Sequence, residues 1–374
     1  PSNPNRVIEP IVIGPADISS PSIVLFSPTS SESMSVDFNF SVSDDSGISS
    51  CTLFVGEDSN IYNNISSGLN IITYEFSTDK LVDWNISCID SSNNTGYSDS
   101  LNLNVDSNQY QITTCLELQD MNNGLTGNYE LMNDINCYND THEGGILYNE
   151  GAGFSPVGFD YENSFSGSFD GRNHTISNLF INSTSEESTG LFGTCRGEIK
   201  NVGLIDVSVT GNYDVGGLVG KDYSSVTNSF VTGNVSGYQN VGGLVGLSQD
   251  QINNSHFTGS AVGTNNVGGL VGANFGGLIS NSYSIGNVTS SGDYVGGLVG
   301  QSYGSINNSY SLGNVTGASS VGGLVGLDLG SSVNSYSGAR VISEGSAGGF
   351  VGATEGAIIS SCYSFGEVNG SGDY

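Results

Sequence analysis

The hexapeptide Val-Gly-Gly-Leu-Val-Gly at residues 215–220 decides the fold of this chain, because it returns at a nearly constant spacing. Further copies begin at Val241, Val267, Val295 and Val321, and the variant Ala-Gly-Gly-Phe-Val-Gly begins at Ala347. The spacings are 26, 26, 28, 26 and 26 residues. A fixed period of this length is the signature of a repeat architecture, in which each unit stacks on the next.

Two shorter motifs lie between the hexapeptides. Asn-Ser followed by Phe or Tyr begins at Asn228, Asn281, Asn308 and Asn334, and Gly-Asn-Val begins at Gly233, Gly286 and Gly313. Each period therefore predicts three short strands separated by Gly, Asn and Ser turns. A propeller blade needs about 40 residues or more, and helical periodicity is absent. We predict an all-β fold with a β-helix (β-solenoid) of about 26-residue coils.

The repeat resembles the GLUG-motif family over roughly residues 188–374, where six copies lie in phase. The segments 129–136 and 165–179 resemble the lead-in that such proteins carry before their coils. The resemblance implies a secreted or surface-anchored bacterial or archaeal protein, often a large adhesin. It implies no catalytic residue.

The segment 21–106 does not repeat and has the pattern of short alternating strands. The expected strands are 23–26, 36–42, 51–55, 70–76, 84–89 and 101–105. This pattern predicts a β-sandwich with Trp84 in its core, and it resembles the Ig-like modules of surface proteins. We therefore divide the chain into a linker or donor-strand-like segment 1–20, an Ig-like sandwich 21–106, a β-helix lead-in 107–187 and a GLUG-repeat β-helix 188–374.

The first 20 residues contain an apolar, β-prone stretch flanked by prolines. Its apolar side chains are Val7, Ile8, Ile11, Val12 and Ile13. The stretch is either a linker or edge strand of its own sandwich, or an assembly strand inserted into a neighbouring subunit. At the other end, residues 371–374 repeat residues 291–294, which lead into a hexapeptide. We expect the native chain to continue past Tyr374.

Six cysteines and the absence of a CxxC motif favour structural disulfides in an oxidising compartment over a zinc site. Cys51 and Cys88 are expected to pair within the sandwich, and Cys115 with Cys137 at the start of the solenoid. Cys195 and Cys362 lie about six coils apart, or roughly 29 Å at the rung spacing of a β-sheet. That distance is too great for a disulfide within one chain. They are either free thiols or an intermolecular link.

Two rows of equivalent positions run along the predicted coils. The first row is Asn228, Asn254, Asn281, Asn308 and Asn334, and the second is Phe230, His256, Tyr283, Tyr310, Tyr336 and Tyr363. Inward amides could stack along the axis. The aromatic row is either a structural row at a corner or an exposed stripe that binds a glycan or a neighbouring molecule. Within the hexapeptide, Val215 and Leu218 can both be buried only if the glycine pair bends the chain.

Thirteen Asn-x-Ser/Thr sequons are present, a slight excess over chance. They are Asn39, Asn64, Asn85, Asn93, Asn139, Asn173, Asn182, Asn234, Asn253, Asn287, Asn307, Asn314 and Asn369. Three of them, Asn234, Asn287 and Asn314, share one turn of the repeat. Asn253 and Asn307 share another. Sequons on the surface turns of a secreted protein are plausible glycosylation sites. The ten candidates are Asn64, Asn85, Asn139, Asn173, Asn182, Asn234, Asn253, Asn287, Asn307 and Asn314.

The charge excludes several classes of partner and reaction. The chain of 374 residues carries 37 acidic against 7 basic side chains, a formal net charge of −30. A nucleic-acid partner would require a basic surface. The scattered basic residues offer no lyase site, and a polyanionic substrate would be repelled. Asp160 and Asp170 are the carboxylates to consider for a hydrolase, but Asp170 precedes a turn glycine. We expect no enzyme.

Calcium is the one cofactor that the acidic residues suggest. Its weak candidate ligands are Asp44, Asp45, Asp134 and Asp140. No spacing matches an EF-hand, and solvated turn carboxylates are the simpler interpretation. The sequence as a whole predicts a non-enzymatic, extracellular structural or adhesive protein. It would be either a self-assembling filament or surface-layer subunit, or a rigid stalk of a larger adhesin, with another copy, a surface protein or a glycan as partner.

Overall fold

The computed structural model describes residues 17–28, 35–76, 80–105 and 109–371. The chain divides into two compact units, residues 1–109 and 110–374. Within the described ranges, none of the helices has the length and apolar character that a bilayer crossing requires.

The first unit consists of two antiparallel sheets. Its strands are β1 (Ser22–Ser27), β2 (Ser35–Ser43), β3 (Ile48–Val55), β4 (Asp58–Tyr62), β5 (Gly68–Glu75), β6 (Lys80–Asp90), β7 (Thr95–Tyr97) and β8 (Leu101–Val105). One sheet has the order β1-β2-β5, and the other has the order β4-β3-β6-β7 with β8 also paired to β6. The six strands expected from the sequence are present, and the short strands β4 and β7 are additions. The arrangement fits a β-sandwich.

Alternation of apolar and polar residues places one face of each sheet in the core of the first unit. In β2, the side chains of Val36, Phe38, Phe40 and Val42 are all buried. Trp84 is fully buried, as the sequence predicts, and its ring centroid lies 4.7 Å from that of Phe38. Fully burying a large apolar side chain contributes about 1.5–3 kcal/mol to folding, so these strands are held by their inner faces.

The second unit begins with irregular structure before its coils become regular. The helix α1 (Cys115–Asp120) starts at a capping box, in which Thr114 and Glu117 each bond the other's backbone N–H. A 3₁₀ turn (Met121–Asn123), a second helix α2 (Tyr138–Thr141) and a second 3₁₀ turn (Asn149–Gly151) follow.

Four parallel sheets then run along the solenoid. Sheet 1 contains Gln109–Ile112, Asn128–Leu131, Ser168–Asp170, Glu198–Lys200, Val226–Thr227, Ile252–Asn253, Leu278–Ser280, Ser305–Asn307, Ser331–Val333 and Ile358–Ser360. Sheet 2 contains Ile135–Asn136, Thr175–Ser177, Phe180–Ser183, Gly203–Gly211, Phe230–Ser236, His256–Gly263, Tyr283–Ser290, Tyr310–Gly317, Tyr336–Ser337, Arg340–Ser343, Tyr363–Ser364 and Val368–Gly370. Sheet 3 contains Tyr213–Gly216, Gln239–Gly242, Asn265–Gly268, Asp293–Gly296, Ser319–Gly322 and Ala347–Gly348. Sheet 4 contains Phe192–Cys195, Val219–Asp222, Val245–Ser248, Val271–Asn274, Val299–Ser302, Val325–Asp328 and Val351–Thr354.

Each regular coil has four strands, and the expectation of three was wrong. The hexapeptide is divided between two sheets. Val215 lies near the end of a strand of sheet 3, and the next strand, in sheet 4, begins at Val219. Leu218 lies at the corner between the two strands. All three side chains are fully buried, because the chain bends at the glycine pair. A Cβ on Gly216 would lie 2.1 Å from the carbonyl oxygen of Val219, so only glycine fits this corner.

The asparagine row marks another corner, and its amides point outward rather than inward. Asn228 and Asn254 both have φ of 50°, a left-handed conformation that asparagine adopts more easily than most residues. Their side chains are exposed. The Nδ2 group of Asn254 donates a 2.7 Å hydrogen bond to Oδ1 of Asn228 on the preceding coil. The ladder of amides therefore runs along the outside of the solenoid.

Candidate binding surfaces

The aromatic row forms a continuous stack on the outer face of sheet 2. Consecutive ring centroids from Phe230 to Tyr363 lie 4.6 to 5.2 Å apart, and consecutive ring planes differ by only 3 to 8°. The spacing matches the distance between neighbouring parallel strands. We call the six residues Phe230, His256, Tyr283, Tyr310, Tyr336 and Tyr363 the aromatic ladder.

Stacking decides which part of each ring is accessible. Because neighbouring rings cover each other's faces, the ladder presents ring edges to the solvent, and its members from Phe230 to Tyr336 are only half-exposed. A sugar that stacks on an aromatic residue needs an open ring face. Tyr363, the last rung, is 58% exposed, and its ring centroid also lies 6.3 Å from that of Phe365. The geometry therefore favours the structural interpretation of the row over a glycan-binding stripe.

His256 occupies one rung of the ladder between two carbon rings. Its ring centroid is 5.0 Å from that of Phe230 and 4.6 Å from that of Tyr283. Burial lowers the pKa of His256, because the cationic form loses hydration there.

A column of sequons runs beside the aromatic ladder on sheet 2. Asn234, Ser260, Asn287 and Asn314 are partners in consecutive parallel strands. The three asparagines are exposed. The exposed amides of this column are accessible for the attachment of glycans.

The remaining sequons differ in accessibility. Asn64, Asn93, Asn139, Asn173, Asn182 and Asn369 are exposed, whereas Asn39, Asn85, Asn253 and Asn307 are half-buried. Oδ1 of Asn253 accepts hydrogen bonds from Ser280 and Asn281. The exposed group is better suited to modification, because its amides face the solvent.

Four of the cysteines form two disulfides, and the other two are free. Cys51 is bonded to Cys88 across β3 and β6, and Cys115 is bonded to Cys137. Cys195 is buried and Cys362 is half-exposed, and both are free thiols. Burial raises the pKa of Cys195 well above its ordinary value, which makes that thiol unreactive. Of the two, only Cys362 is placed for an intermolecular link.

The carboxylates expected to bind calcium are not brought together. Asp44 does not pair with Asp45; its carboxylate instead lies with those of Asp17 and Asp90, with one oxygen of each within 4.8 Å of the others. Three carboxylates could hold a divalent cation, but hydrogen bonds already occupy both oxygens of the buried Asp90. Asp134 accepts a hydrogen bond from the backbone of Thr175 and shares no cluster with Asp140 in the described residues.

The carboxylates considered for catalysis, and the two histidines outside the aromatic ladder, have structural partners. Asp160 accepts hydrogen bonds from the backbone and side chain of Asn163. Asp170 accepts from the backbone N–H of Arg172 and from the side chain of Asn201. Of the remaining two histidines, His142 stacks on Tyr138, and His174 lies 3.4 Å from Asp134.

A buried polar row inside the solenoid was not anticipated from the sequence. It consists of Cys195, Asp222, Ser248, Asn274, Ser302 and Asp328, which are partners in consecutive strands of sheet 4. All six side chains are fully buried. Oδ2 of Asp222 has no hydrogen-bond partner among the described residues, and burial raises the pKa of Asp222 well above its ordinary value. Only the spacing from each hexapeptide could have indicated this row.

The predicted assembly strand, with Val7, Ile8, Ile11, Val12 and Ile13, lies outside the described residues. Tyr374 likewise lies outside the described residues.

Comparisons with known proteins agree with this architecture. Residues 211–236, 263–289 and 291–316 match the family model described as the GLUG motif. Halomucin from Haloquadratum walsbyi is 38% identical over 133 residues, which are 34% of this chain and 1% of halomucin. The chain thus spans about a hundredth of the length of that curated relative. An IgA1 protease structure superposes with a TM-score of 0.44 at 15% identity, over 87% of this chain and 28% of that one. At that score the likeness carries no information about activity.

Proposed function

We propose that this GLUG-repeat β-helix protein is a non-enzymatic, extracellular component of a cell surface, whose solenoid serves as a rigid rod. The observation that carries the proposal is the register of the hexapeptide strands in sheets 3 and 4, which continues from coil to coil. Equivalent residues such as Val215, Val241 and Val267 pair coil after coil. About 8 turns at the strand spacing of ~4.8 Å correspond to a rod of roughly 40 Å.

The similarity to halomucin supports the location. The name halomucin is that of a mucin, a class of extracellular glycoprotein, and the matched stretch is a small part of it. The two disulfides of this chain fit the same oxidising, extracellular setting. Within a surface protein, a stiff solenoid acts as a stalk that holds other parts of the molecule away from the cell.

The small number of basic residues suits a protein that meets proteases outside the cell. The chain has 7 Lys and Arg residues, which leaves few sites for trypsin-like enzymes. Each described Lys and Arg side chain has an interaction partner. Five form ion pairs: Lys80 with Asp58, Arg172 with Glu130, Lys200 with Glu198, Lys221 with Asp214, and Arg340 with Glu367. The sixth, Arg196, lies over the ring of Tyr161. Backbone held in parallel sheets is likewise a poor protease substrate, because cleavage requires local opening.

Self-assembly into a filament or surface layer is the second candidate, and one feature of the sandwich favours it. The outer face of the β1-β2-β5 sheet exposes Val24, Phe26, Leu69 and Ile71 by 51 to 67%. Exposed apolar side chains on one face mark a contact surface. The assembly strand at residues 7–13 of another copy has the apolar character to cover it.

Electron microscopy and sedimentation of the purified full chain test the two forms. The stalk predicts single elongated particles, whereas assembly predicts filaments or sheets that disappear in a Val24→Ser, Ile71→Ser double variant. Compact particles without an elongated segment would refute the rod. For the location, brief treatment of intact producing cells with a nonspecific protease should release peptides of this chain and none of a cytosolic control protein.

A further inference from the structure

We propose that a pocket on the first coils of the solenoid binds a neutral saccharide unit. The pocket has a volume of about 380 Å³, in the lower part of the ~300–1,000 Å³ range of small-molecule sites. Four of its lining residues carry the argument: Asn149, Phe159, Asn182 and Glu186. We call it the lead-in pocket.

The floor of the lead-in pocket is held in place by side-chain amides. Gln119 donates a 2.9 Å hydrogen bond to the carbonyl oxygen of Ser155 and accepts a 2.8 Å bond from its N–H. Asn122 donates to the carbonyl oxygen of Pro156 and accepts from the N–H of Gly158. The loop that lines the pocket is therefore fixed at both ends before any ligand arrives, which lowers the entropic cost of binding.

Several polar groups at the pocket can form further hydrogen bonds. Nδ2 of Asn182 donates to the carbonyl oxygen of Gly151, which leaves its own Oδ1 available. In the described part of the chain, no hydrogen bond occupies the side chains of Asn149 or Glu186. An amide offers both a donor and an acceptor, and a carboxylate offers two acceptors. Each sugar hydroxyl also donates and accepts, so neighbouring hydroxyls complement such a set.

The backbone beside these groups is strained. Asn149 and Glu150 have φ values of 46° and 54°, so two consecutive residues other than glycine adopt a left-handed conformation. Such conformations cost about 1–3 kcal/mol each and cluster at sites of function. One of the two residues, Asn149, lines the pocket itself.

An aromatic ring at the pocket is open to the ligand. Phe159 is 46% exposed, and unlike the rungs of the aromatic ladder it has no stacking partner among the described residues. The C–H groups of a pyranose pack against an open ring face, while the hydroxyls at the ring edge reach polar groups. The combination of one open aromatic ring with amides and a carboxylate suits a ligand that is apolar on one face and polar at its edges.

The charge of the lining and of the whole chain indicates which class of saccharide can bind. The described lining contains Glu186 but no Lys, Arg or His, and the chain as a whole has a net charge of −30. An anionic sugar would be repelled by both. The ligand is therefore a neutral saccharide.

A second hollow extends the lead-in pocket. It has a volume of about 420 Å³ and shares Asn122, Asn149 and Ser155 with the first. The ligand consequently has room for more than one sugar unit. Asn182 is itself a sequon in the lining, so a glycan attached there would compete with a free saccharide.

Binding to the full chain, produced in a host that leaves Asn182 unmodified, tests the proposal. The probes are maltose, cellobiose, lactose and mannobiose, with digalacturonate as the anionic counterpart, measured by saturation-transfer NMR and calorimetry. We expect at least one neutral disaccharide to bind with a dissociation constant on the order of 1 mM, and digalacturonate not to bind. Phe159→Ala and Glu186→Ala should each weaken binding at least tenfold.

Two matched variants serve as controls. Phe275 is a similarly exposed phenylalanine, at 45%, on a distant coil. Glu355 is an exposed glutamate on another distant coil. Phe275→Ala and Glu355→Ala should leave binding unchanged. The proposal is overturned if no neutral disaccharide binds at concentrations up to about 10 mM, if digalacturonate binds instead, or if both pocket variants bind normally. The inference rests on the proposed surface role only for its setting: compact particles in microscopy would refute the rod, not the pocket.

Discussion

Nδ2 of Asn314 donates a 2.9 Å hydrogen bond to Oδ1 of Asn287, its partner on the preceding coil. Both residues head a sequon and both are exposed. Parallel strands in a sheet lie ~4.8 Å apart, which leaves little space for two glycans on consecutive rungs. Asn234 differs, because the rung between it and Asn287 carries Ser260.

We expect Asn287 and Asn314 not to be glycosylated in the same molecule, whereas Asn234 is modified independently of both. Mass spectrometry of the native secreted protein, digested with a nonspecific protease, measures the occupancy of each site. Thr316→Ala destroys the sequon of Asn314 but keeps its amide, so the occupancy of Asn287 should rise in this variant. Occupancies of Asn287 and Asn314 that add up to more than one glycan per molecule would contradict the expectation.

The aromatic ladder should contribute to stability through its stacked faces rather than through hydroxyl groups. Tyr310 stacks between Tyr283 and Tyr336 at 4.9 Å on each side. Aromatic pairs contribute about 0.5–1.5 kcal/mol each beyond area burial, so Tyr310→Ala should lower the free energy of unfolding by about 1–3 kcal/mol. Tyr310→Phe should cost much less. Chemical denaturation followed by circular dichroism measures both variants, and equal losses would show that the hydroxyl matters instead.

His256 should make the ladder weaker at acidic pH. Because burial lowers the pKa of His256 from an ordinary value of about 6.5, the unfolded chain binds a proton more readily than the folded chain. The stabilisation is fully present above about pH 6.5 and is lost as the pH falls through the folded-state pKa.

His256→Tyr, which introduces the residue found on the next four coils, should remove this dependence. The effect, moderated by partial exposure, is expected to be less than about 1 kcal/mol between pH 7 and pH 5. Denaturation midpoints of both proteins at several pH values provide the measurement. Curves that run parallel would exclude His256 as the titrating group.

Asp222 should have the opposite pH dependence. Burial raises its pKa well above the ordinary value, so the folded chain holds the proton more tightly than the unfolded chain. Its contribution to stability is present below about pH 4 and is lost as the pH rises through the folded-state pKa.

Asp222→Asn should therefore stabilise the protein at neutral pH, by about 1–3 kcal/mol, with the gain shrinking toward pH 4. Asn274 occupies the equivalent position two coils later, which indicates that an amide fits the row. Thermal denaturation at pH 4 and pH 7 measures the difference, and Asp293→Asn, at an exposed aspartate, is the control. A variant that is less stable than the parent at neutral pH would contradict a strained, buried carboxyl group.

The repeat made the solenoid predictable, because an in-register stack requires equivalent residues on every coil. Trp84 in the sandwich core follows from the same kind of reasoning, since strand alternation is a local pattern. The number of strands per coil did not follow. A glycine pair can continue a strand or turn it. That it forms a corner here is seen only in the tertiary structure, in which Gly216 lies against the carbonyl oxygen of Val219.

The sequence by itself determined what depends on period and composition: the β-helix, its coil length, the sandwich before it and the candidate sequons. Tertiary structure alone decided which side of the chain each residue faces. It placed the amide of Asn254 outside, the carboxyl group of Asp222 inside, and the side chains of Asn149, Phe159 and Glu186 around one pocket. The physical reason is that the loops forming this pocket are distant in sequence and do not repeat, so no periodicity records their meeting.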